Sequence, residues 1–284
     1  MPNRPPLVLL GCGYTLQRVA RSALAEGRGV ILTTRDPARL ESLARAGAQV
    51  HALDLDEPAS VQALTRAVPQ GSVAIHSVPV MRTDGGLADP TPRLLQDLAP
   101  RLERLVYLSS TGVYGRTPVV DETTPAAPVT QLQQLRVAAE SCVEASVASS
   151  CVLRPAAIYG PGRGVHVMLL AGRYRLVGEG KNVVSRIHVD ALAALVHAAV
   201  DHEVTGAWPV ADEEPATAAE VAAFVCDRLG LPRPPSVAPE DVHETMRFTR
   251  RVDGRAICGR LGVTLRYPGY REGIPAAIDE ASRT

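Results

Sequence analysis

The feature that most constrains this chain is an apolar run near its start that leads directly into two glycines. The run is Leu7–Leu10, the glycines are Gly11 and Gly13, and a segment with helical apolar spacing follows before a second apolar run, Val30–Thr34. Glycines at such a turn let the backbone approach a pyrophosphate, which the partly positive N-terminus of the next helix stabilises. The segment therefore predicts a β-α-β unit that binds a dinucleotide. Its turn contacts are expected from Gly11, Gly13, Tyr14 and Thr15.

Two positions in this unit bear on how the dinucleotide is held. Leu16 stands where a third glycine usually allows close packing of the helix, so either the helix stands off slightly or the turn is reshaped. Arg35 follows the second strand, and its planar donors suit a 2′-phosphate, which favours NADP over NAD. Asp36 keeps NAD open as an alternative, although this carboxylate could simply cap a helix that starts near Pro37.

Composition excludes several classes of function. With 284 residues, the chain can hold one large domain, or a large and a small one around a shared core. Thirty basic residues balance thirty acidic ones, so we expect neither nucleic acid nor an anionic membrane as a partner. No apolar stretch approaches the roughly eighteen residues of a membrane span. The first strand also begins too early for a signal peptide, which predicts a cytoplasmic protein.

The cysteines predict reduced thiols rather than disulfides or a metal site. Five are scattered along the chain without metal-ligand spacing, and their number is odd. Cys12 lies inside the glycine turn, where a small filler residue is expected more than a reactive thiol.

Short apolar strands alternate with amphipathic helical segments through the first half of the chain. This alternation is typical of an α/β fold, here a Rossmann-type doubly wound parallel sheet with a small C-terminal lobe. We predict an NAD(P)-binding core over residues 1–160, with its sheet completed by later strands, and a lobe over 161–284 that is interleaved with the core. Ligands of such sheets lie beyond the carboxyl ends of the strands. Polar or turn residues occupy those ends at Gly11–Gly13, Arg35, Asp54, Ser77–Pro79 and Ser109–Thr111.

Two motifs further along the chain carry a family resemblance. They are Ser109-Ser110-Thr111-Gly112-Val113-Tyr114-Gly115 and Ile158-Tyr159-Gly160-Pro161-Gly162, and Arg186-Ile187-His188-Val189-Asp190 adds a third match. Over nearly its whole length the chain resembles the extended and atypical short-chain dehydrogenase/reductase superfamily, in its NAD(P)-dependent epimerase/dehydratase group. The resemblance implies an oxidoreductase or epimerase chemistry and the possibility of a homodimer.

The resemblance also implies roles for individual residues. Asp54 would accept from the adenine amino group, with Leu55 against the ring. Ser77, Val78 and Pro79 would pass the ribose and pyrophosphate through backbone contacts. Ser110 takes the position of the catalytic hydroxyl, with Thr111 beside it. The alternatives are structural: Asp54 could cap the next helix, and the Ser110 hydroxyl could satisfy backbone groups at the strand end.

The chain departs from the family at the acid/base pair. These enzymes use Tyr-x-x-x-Lys on one helical face, where the lysine holds the nicotinamide ribose and lowers the pKa of the tyrosine. The register of Val137–Glu140 places Leu132 at the tyrosine position and Arg136 at the lysine position. Leucine carries no proton. Arginine keeps a charge for the cofactor but is a poor proton relay, since it stays protonated.

Other residues are weaker candidates for a proton donor. Tyr114 and Tyr159 lie in turn motifs, where packing is the expected role. His76 ends a buried strand and His188 lies in the third motif, so both are expected to be structural.

The substrate side departs from the nucleotide-sugar enzymes as well. Ala157 replaces their sugar-contacting asparagine, whereas Arg186 looks like their phosphate-contacting arginine. Arg186 is expected either to bind an anionic ligand or to pair with a carboxylate such as Asp190. The tail, Arg260–Val263 through Tyr267–Gly273, resembles the end of atypical members of this superfamily that have no assigned activity. This resemblance favours a small or unknown substrate over a nucleotide sugar.

Two functions of different class follow from these observations. The first is an NAD(P)-dependent oxidoreductase or epimerase/dehydratase-like protein that acts on a small molecule through Ser110, with an unconventional proton donor such as a water held by Ser110 and Thr111. The second is a non-catalytic NADP-binding redox sensor or regulatory protein, in which NADP occupancy sets the arrangement of the C-terminal lobe and so reports redox state to a partner. The expected small-molecule ligand is a substrate in the first case and an effector in the second. The residues Leu132 and Arg136 favour the second function, and the retained strand end favours the first.

Overall fold

A computed structural model of the protein describes residues 4–242 and 247–283. The first three residues, on which the signal-peptide prediction partly rests, lie outside that range. The strands are β1 (Leu7–Leu10), β2 (Val30–Thr34), β3 (Gln49–Ala52), β4 (Ser72–His76), β5 (Met81–Thr83), β6 (Gly86–Ala88), β7 (Leu102–Leu108), β8 (Val119–Val120), β9 (Ser149–Pro155), β10 (Ala157–Tyr159), β11 (Leu176–Val177), β12 (Val183–Val184), β13 (Arg186–His188), β14 (Gly206–Val210), β15 (Ala216–Thr217), β16 (Ser236–Val237) and β17 (Arg251–Val252).

The α-helices are α1 (Leu16–Ala25), α2 (Glu41–Arg45), α3 (Pro58–Ala67), α4 (Thr91–Leu98), α5 (Gln131–Ser146), α6 (Val165–Leu170), α7 (Val189–Asp201), α8 (Ala218–Leu229), α9 (Arg255–Leu261) and α10 (Tyr270–Ala281). Short 3-10 helices cover Pro37–Leu40, Ala99–Arg101, Thr111–Tyr114 and Pro239–Asp241.

The chain forms two compact units. The first consists of Met1–Gly115, Pro128–Arg154 and Ala193–Trp208, and the second of Arg116–Ala127, Pro155–Leu192 and Pro209–Thr284. The predicted division at residue 160 stays a prediction.

A seven-stranded sheet forms the centre of the first unit. Its strand order is β14-β9-β7-β4-β1-β2-β3. Strand β1 pairs in parallel with β2 on one side and β4 on the other, so Leu9 lies opposite Leu32 and Ile75. The pairs β2–β3, β4–β7 and β7–β9 are parallel too. Crossover helices flank this sheet, which confirms the Rossmann-type doubly wound prediction.

The apolar runs seen in the sequence are buried because both faces of the sheet are covered. All four residues of β1 and all five of β4 are buried. Helix α1 buries Leu16, Val19, Ala20 and Ala23 on one face. It ends at Ala25, and two residues later Gly27 has a φ of +76°, the left-handed conformation that glycine adopts at low cost after a helix.

Strand β4 ends at His76, so Ser77–Pro79 lies in the loop that follows it. Two other local features differ from the sequence analysis. The antiparallel hairpin of β5 and β6, absent from the prediction, follows that loop and pairs Met81 with Ala88. Tyr159 closes strand β10 instead of opening a turn. The hairpin was missed because its strands are only three residues long and carry little apolar alternation.

The second unit is built on small two-stranded ladders and helices. Strand β10 pairs in parallel with β13, β11 with β16, and β17 with β8, whereas β12 and β15 are antiparallel. Its core is an apolar cluster that includes Tyr159, Val221, Val225, Tyr270 and Ile274. A capping box at Thr217 and Glu220 fixes the start of α8, where the sequence places that helix.

Candidate functional site

The glycine turn after β1 has no room for a larger residue at its first position. Gly11 has a φ of +82°, and a Cβ built there lies 2.8 Å from Cγ2 of Val78 and 3.1 Å from its backbone nitrogen. The turn is tied to β2, since the amide of Gly11 donates to Oγ1 of Thr33 (2.9 Å) and that of Cys12 to its carbonyl (2.8 Å). The backbone is thus held in the shape that a pyrophosphate requires.

The N-terminus of α1 carries no compensating acid. Thr15 is buried at the N-cap position, its side chain makes no capping hydrogen bond, and the first turn contains no acidic residue. The helix dipole therefore presents a partial positive charge at the turn. Leu16 is completely buried, so its side chain is accommodated inside the unit. The guanidinium of Arg18 lies 4.9 Å from the centroid of the Tyr14 ring.

Cys12 behaves as a filler residue within this turn. It is 5% exposed, and burial raises the pKa of its thiol to about 12, although the charge of Arg21 opposes the shift. A thiol with so high a pKa is a poor nucleophile, which agrees with the sequence interpretation.

The ends of β2 and β3 carry exposed charged residues. Arg35 is exposed, whereas the Asp36 carboxylate accepts from the amide of Ala38 (3.2 Å) and caps the following turn. The capping role foreseen for Asp36 is confirmed. Whereas Asp36 is occupied by this cap, the exposed Arg35 side chain remains available for a ligand. Its role with a 2′-phosphate stays a prediction.

Asp54 caps no helix. Its Oδ1 accepts from the amide of Asp56 (2.9 Å) in a tight turn, and α3 begins only at Pro58 after an N-cap at Glu57. The alternative of a capping aspartate is therefore wrong. Asp54 is exposed beyond β3, and Leu55 lies 8% exposed in the core cluster of the first unit.

The loop after β4 links the glycine turn to the centre of the sheet. The amide of Ser77 donates to the carbonyl of Leu10 (2.9 Å), and that of Val78 to Nδ1 of His76 (3.4 Å). His76 is fully buried and stacks on Tyr107, with ring centroids 5.1 Å apart. Burial and the charge of Arg136 lower the pKa of His76 to about 3, so the ring is neutral and structural, as expected.

Arg136 is held on several sides within the first unit. Its Nη1 donates to the hydroxyl of Tyr107 (2.7 Å) and to the carbonyl of Val78 (3.5 Å), and lies 3.7 Å from Oδ2 of Asp89. The side chain is 15% exposed and that of Asp89 is 5% exposed. These contacts bring Gly11, Val78 and Arg136 together, as the cofactor prediction requires. Sequence reasoning missed Asp89, which follows the unpredicted hairpin.

Leu132 occupies the preceding turn of α5 and is 47% exposed. Helix α5 begins with a capping box. Oγ1 of Thr130 accepts from the amide of Gln133 (3.3 Å), and Oε1 of Gln133 accepts from the amide of Thr130 (3.2 Å). The helix register is therefore fixed, and position 132 faces away from the core with an apolar side chain that can neither donate nor accept a proton.

The strand end after β7 presents two serine hydroxyls in different states. Oγ of Ser110 accepts from the amide of Gly112 (3.0 Å) and caps the 3-10 helix Thr111–Tyr114. This is the structural role that the sequence left open, and it leaves the hydroxyl hydrogen of Ser110 able to donate. Oγ of Ser109 is buried with no hydrogen-bond partner among the described residues. Thr111 is 9% exposed.

A buried ion pair joins α5 to strand β9. Arg154 donates from Nε to Oε1 of Glu140 (3.1 Å) and from Nη2 to Oε2 (2.6 Å). Its Nη1 donates to the hydroxyl of Tyr114 (3.2 Å), and the guanidinium lies 5.0 Å from that ring's centroid. Tyr114 is therefore committed to packing. The sequence motifs include Tyr114 but gave no indication of its partner Arg154 or of the Glu140 carboxylate that pairs with Arg154.

In the second unit, Arg186 is buried and donates from Nη1 to the carbonyls of Val184 (2.5 Å) and Ala216 (3.3 Å). Burial lowers its pKa, which nearby Tyr174 and Asp212 partly oppose. The carboxyl whose charge acts on Arg186 in this way is that of Asp212. The pairing with Asp190 stays a prediction.

Asp212 is the most unusual acid of the second unit. It is 2% exposed, and its two carboxyl oxygens have no hydrogen-bond partner among the described residues. Burial raises the pKa of Asp212 to about 8, against the lowering effect of the Arg186 charge. The sequence offered no signal for this residue, since nothing in its neighbours indicates burial.

The remaining candidates for a proton donor are structural. The hydroxyl of Tyr159 donates to the carbonyl of Gly269 (3.1 Å), and burial raises its pKa well above the ordinary value. The ring of His188 packs against Tyr159 and Tyr267, at centroid distances of 5.2 and 4.3 Å, and its Nδ1 accepts from the amide of Asp190 (3.2 Å). Ala157 opens β10 with an exposed methyl group.

Within residues 4–242 and 247–283, no helix is long and apolar enough to cross a membrane. The same ranges contain no group of three or more acidic, histidine or cysteine side chains arranged to hold a metal ion.

The first unit has the features of a dinucleotide-binding fold. A Cβ at Gly11 would fill the space beside Val78, the N-terminus of α1 faces the turn without an acid, and the buried hydroxyl of Ser109 is unpartnered among the described residues. These features fit a nicotinamide dinucleotide at the carboxyl edge of the sheet.

The chain belongs to the NAD dependent epimerase/dehydratase family, whose model matches residues 8–210. This confirms the family resemblance, and with it a nicotinamide cofactor and an oxidoreductase or epimerase type of function. A small-molecule substrate stays a prediction. The choice of NADP over NAD and the roles of the single residues stay predictions.

Three known proteins illustrate the similarity. A 3-diazoavenalumate denitrifying reductase from a Streptomyces species is 30% identical, over 88% of this chain and 92% of its own. The structure of a functionally unknown conserved protein from Silicibacter pomeroyi is 32% identical with a TM-score of 0.82, covering 98% of this chain and 99% of that one. The Bordetella bronchiseptica enzyme WbmG, solved with NAD, is 15% identical with a TM-score of 0.81, covering 99% and 95%, which shows the fold alone.

Proposed function

We propose that this protein is an NADP-dependent reductase that delivers a hydride to a small organic acid whose reduction needs no proton from the enzyme. The observation that carries the proposal is the replacement of the acid/base pair by Leu132 and Arg136 beside a glycine turn that keeps its shape. A reduced nicotinamide, when bound, supplies the hydride.

The missing proton donor narrows the substrate class. A carbonyl that accepts a hydride becomes an alkoxide and needs a proton, which the family's tyrosine provides. An aryl diazonium group carries a positive charge, so a hydride neutralises it. The carbon–nitrogen bond then breaks, dinitrogen leaves, and the hydride's hydrogen ends on the ring carbon. Atoms and charge balance without a proton from Leu132 or any neighbour.

The Streptomyces relative supports this substrate class. That relative is a 3-diazoavenalumate denitrifying reductase, and its name describes a reductase that removes nitrogen from a diazo compound. We assign the substrate's carboxylate to Arg186, whose guanidinium is buried. Burial raises the pKa of the nearby Asp212 carboxyl to about 8, so near neutral pH this acid is mostly protonated and leaves the charge of Arg186 for a ligand. A planar guanidinium suits a carboxylate through charge-assisted hydrogen bonds.

The first unit provides the remaining assignments. Arg35 binds the 2′-phosphate, Asp54 the adenine amino group, and Arg136 the nicotinamide ribose. The backbone of the loop Ser77–Pro79 contacts the ribose and pyrophosphate, and Gly11 lets the turn approach the pyrophosphate closely. Ser110 and Thr111 orient the substrate with their hydroxyls. Their role is to hold the acceptor in line with the cofactor rather than to transfer a proton.

The first test is a fluorescence titration of the purified protein with NADPH and, separately, NADH. Micromolar binding of NADPH with weaker NADH binding is expected, and the absence of both refutes the proposal. The second test supplies NADPH with an ortho-hydroxy arenediazonium carboxylate, and in parallel with the matching aryl aldehyde carboxylate. Dinitrogen release equal to NADPH oxidation, with the aldehyde untouched, is the expected result. Equal reduction of the aldehyde contradicts the argument from the missing proton donor.

The double variant Leu132→Tyr, Arg136→Lys distinguishes the two functions left open by the sequence. Because position 132 is exposed, the variant is expected to bind NADPH and to gain aldehyde reduction, while the diazonium activity remains. A wild-type protein that binds NADPH, reduces no diazonium substrate and gains activity only in the double variant would instead be the non-catalytic redox sensor.

A further inference from the structure

We propose that Asp89 is a positioning residue that neutralises and fixes Arg136, and that it thereby sets the relative affinity of the protein for the oxidised and reduced cofactor. The inference rests on the proposed function, in which Arg136 takes the place of the lysine at the nicotinamide ribose.

The two residues are part of a closed ring of contacts inside the first unit. Oδ1 of Asp89 accepts from the amide (2.9 Å) and the hydroxyl (2.5 Å) of Thr91, whose oxygen lies 2.8 Å from Nε2 of His76. Nδ1 of His76 accepts from the amide of Val78 (3.4 Å). The carbonyl of Val78 accepts from Arg136 (3.5 Å), which lies 3.7 Å from Oδ2 of Asp89. Each member is therefore positioned by two neighbours.

Within this ring of contacts, Oδ2 of Asp89 interacts with Arg136 through charge rather than through a hydrogen bond. Oδ2 of Asp89 is buried and has no hydrogen-bond partner among the described residues, although it faces Arg136 at 3.7 Å. A buried carboxylate oxygen without a hydrogen bond is costly unless an opposite charge compensates it. Arg136 supplies that charge, so the two side chains form a pair whose net charge is near zero.

Tyr107 fixes the same guanidinium from a second direction. Its hydroxyl accepts from Nη1 of Arg136 (2.7 Å), and its ring stacks on His76 inside the sheet. The contacts described for Arg136 all use Nη1, which leaves the Nε and Nη2 donors for a ligand. A lysine ammonium could not divide its donors in this planar way.

The pair bears on the redox state of the cofactor because the nicotinamide ring is positively charged when oxidised and neutral when reduced. An uncompensated arginine beside the ring would weaken binding of the oxidised form alone. With Asp89 present, this bias is largely cancelled. The carboxylate therefore lets the protein bind the oxidised cofactor more tightly than an isolated Arg136 would allow.

The test compares two variants with opposite expected signs. Asp89→Asn keeps the oxygen that Thr91 needs and removes the charge, so the ratio Kd(NADP+)/Kd(NADPH) is expected to rise about fivefold. Arg136→Gln removes the cation and leaves the carboxylate, so the same ratio is expected to fall below that of the wild type. Asp97→Asn, an exposed aspartate on α4, is the matched control and should leave the ratio unchanged.

Dissociation constants come from fluorescence titrations of each variant with both forms of the cofactor, at one ionic strength. Thermal unfolding of each variant shows whether the fold persists. Asp89→Glu keeps the charge and should keep the wild-type ratio. If Asp89→Asn does not fold, the fall of the ratio in Arg136→Gln still tests the inference. An equal loss of affinity for both forms, or shifts of the same sign in the two variants, would overturn the inference. Failure of the wild type to bind either form would refute the proposed function instead.

Discussion

The buried pair of Glu140 and Arg154 offers the sharpest test of how the first unit is held together. Glu140→Gln keeps the shape of the side chain, removes its charge, and turns one acceptor into a donor that faces an Arg154 donor. In the wild type, both carboxylate oxygens of Glu140 accept from Arg154, at 3.1 and 2.6 Å. The side chains are 5% exposed for Glu140 and 10% for Arg154. Hydrogen bonds to charged groups contribute about 1.5–3 kcal/mol each, and breaking a buried pair costs about 3–5 kcal/mol.

We expect a loss near the lower end of that range, about 3 kcal/mol, because Tyr114 keeps both its hydrogen bond and its ring contact with Arg154. At about 2–4 °C per kcal/mol for a chain of this size, the thermal midpoint should fall by about 6–12 °C. Glu144→Gln, on the next turn of α5 and exposed, should shift the midpoint by no more than about 1–2 °C, since surface changes stay within about 0.5 kcal/mol.

The assay is thermal unfolding followed by circular dichroism, with urea unfolding as a second measure of the free energy. A Glu140→Gln variant within about 1 kcal/mol of the wild type would refute the reasoning, since it would mean that the buried Arg154 charge is compensated elsewhere. The paired change Glu140→Leu, Arg154→Met should recover much of the loss, because it leaves no uncompensated charge.

Three other predictions follow. Arg35→Ala should weaken NADPH binding about 10- to 100-fold, as expected for a charge-assisted phosphate contact, and leave NADH nearly unchanged. Fluorescence titration measures both, Arg39→Ala is the exposed control, and equal losses would sink the NADP assignment. Gly11→Ala should cost more stability than Gly27→Ala in thermal unfolding, because both have positive φ but only the Cβ at 11 meets Val78, at 2.8 Å. Equal losses of stability in the two variants would show that the backbone strain of a positive φ, and not the contact with Val78, sets the cost of the substitution. Burial raises the pKa of Asp212 to about 8 in the folded protein, compared with about 3.9 in the unfolded chain. Between these two values the native state holds a proton that the unfolded state has lost, so the free energy of unfolding falls from about pH 4 to pH 8. In midpoints taken from pH 5 to 9, Asp212→Asn should flatten this fall, and an unchanged slope would contradict the burial argument.

Much of the first unit could be predicted from sequence because its signals are local. The strands β1, β2 and β4 are buried on both faces and therefore appear as continuous apolar runs. The capping box at Thr130 and the positive-φ Gly27 mark helix ends in the same direct way. The cap at Asp36 was foreseen because a carboxylate two residues before a helical amide needs no tertiary partner.

The interior of the candidate site was less predictable because its contacts are distant along the chain. Asp89 and Arg136 are separated by forty-seven positions, and the hairpin before Asp89 carries no strong pattern. Asp212 reads as an ordinary charged residue before Glu213, and only the tertiary structure shows that it is buried. The Asp54 cap was wrong for the same reason, since spacing alone does not say which partner is near.

Leu132, Arg136 and Glu140 occupy successive turns of α5, and their burial increases in that order, from a half-exposed leucine to a glutamate sealed in the core. One helix therefore carries both a half-exposed position and a residue that holds the fold. Replacing the exposed side chain should alter stability by no more than about 0.5 kcal/mol. Position 132 is consequently free to change, while the ion pair two turns away keeps the helix in register.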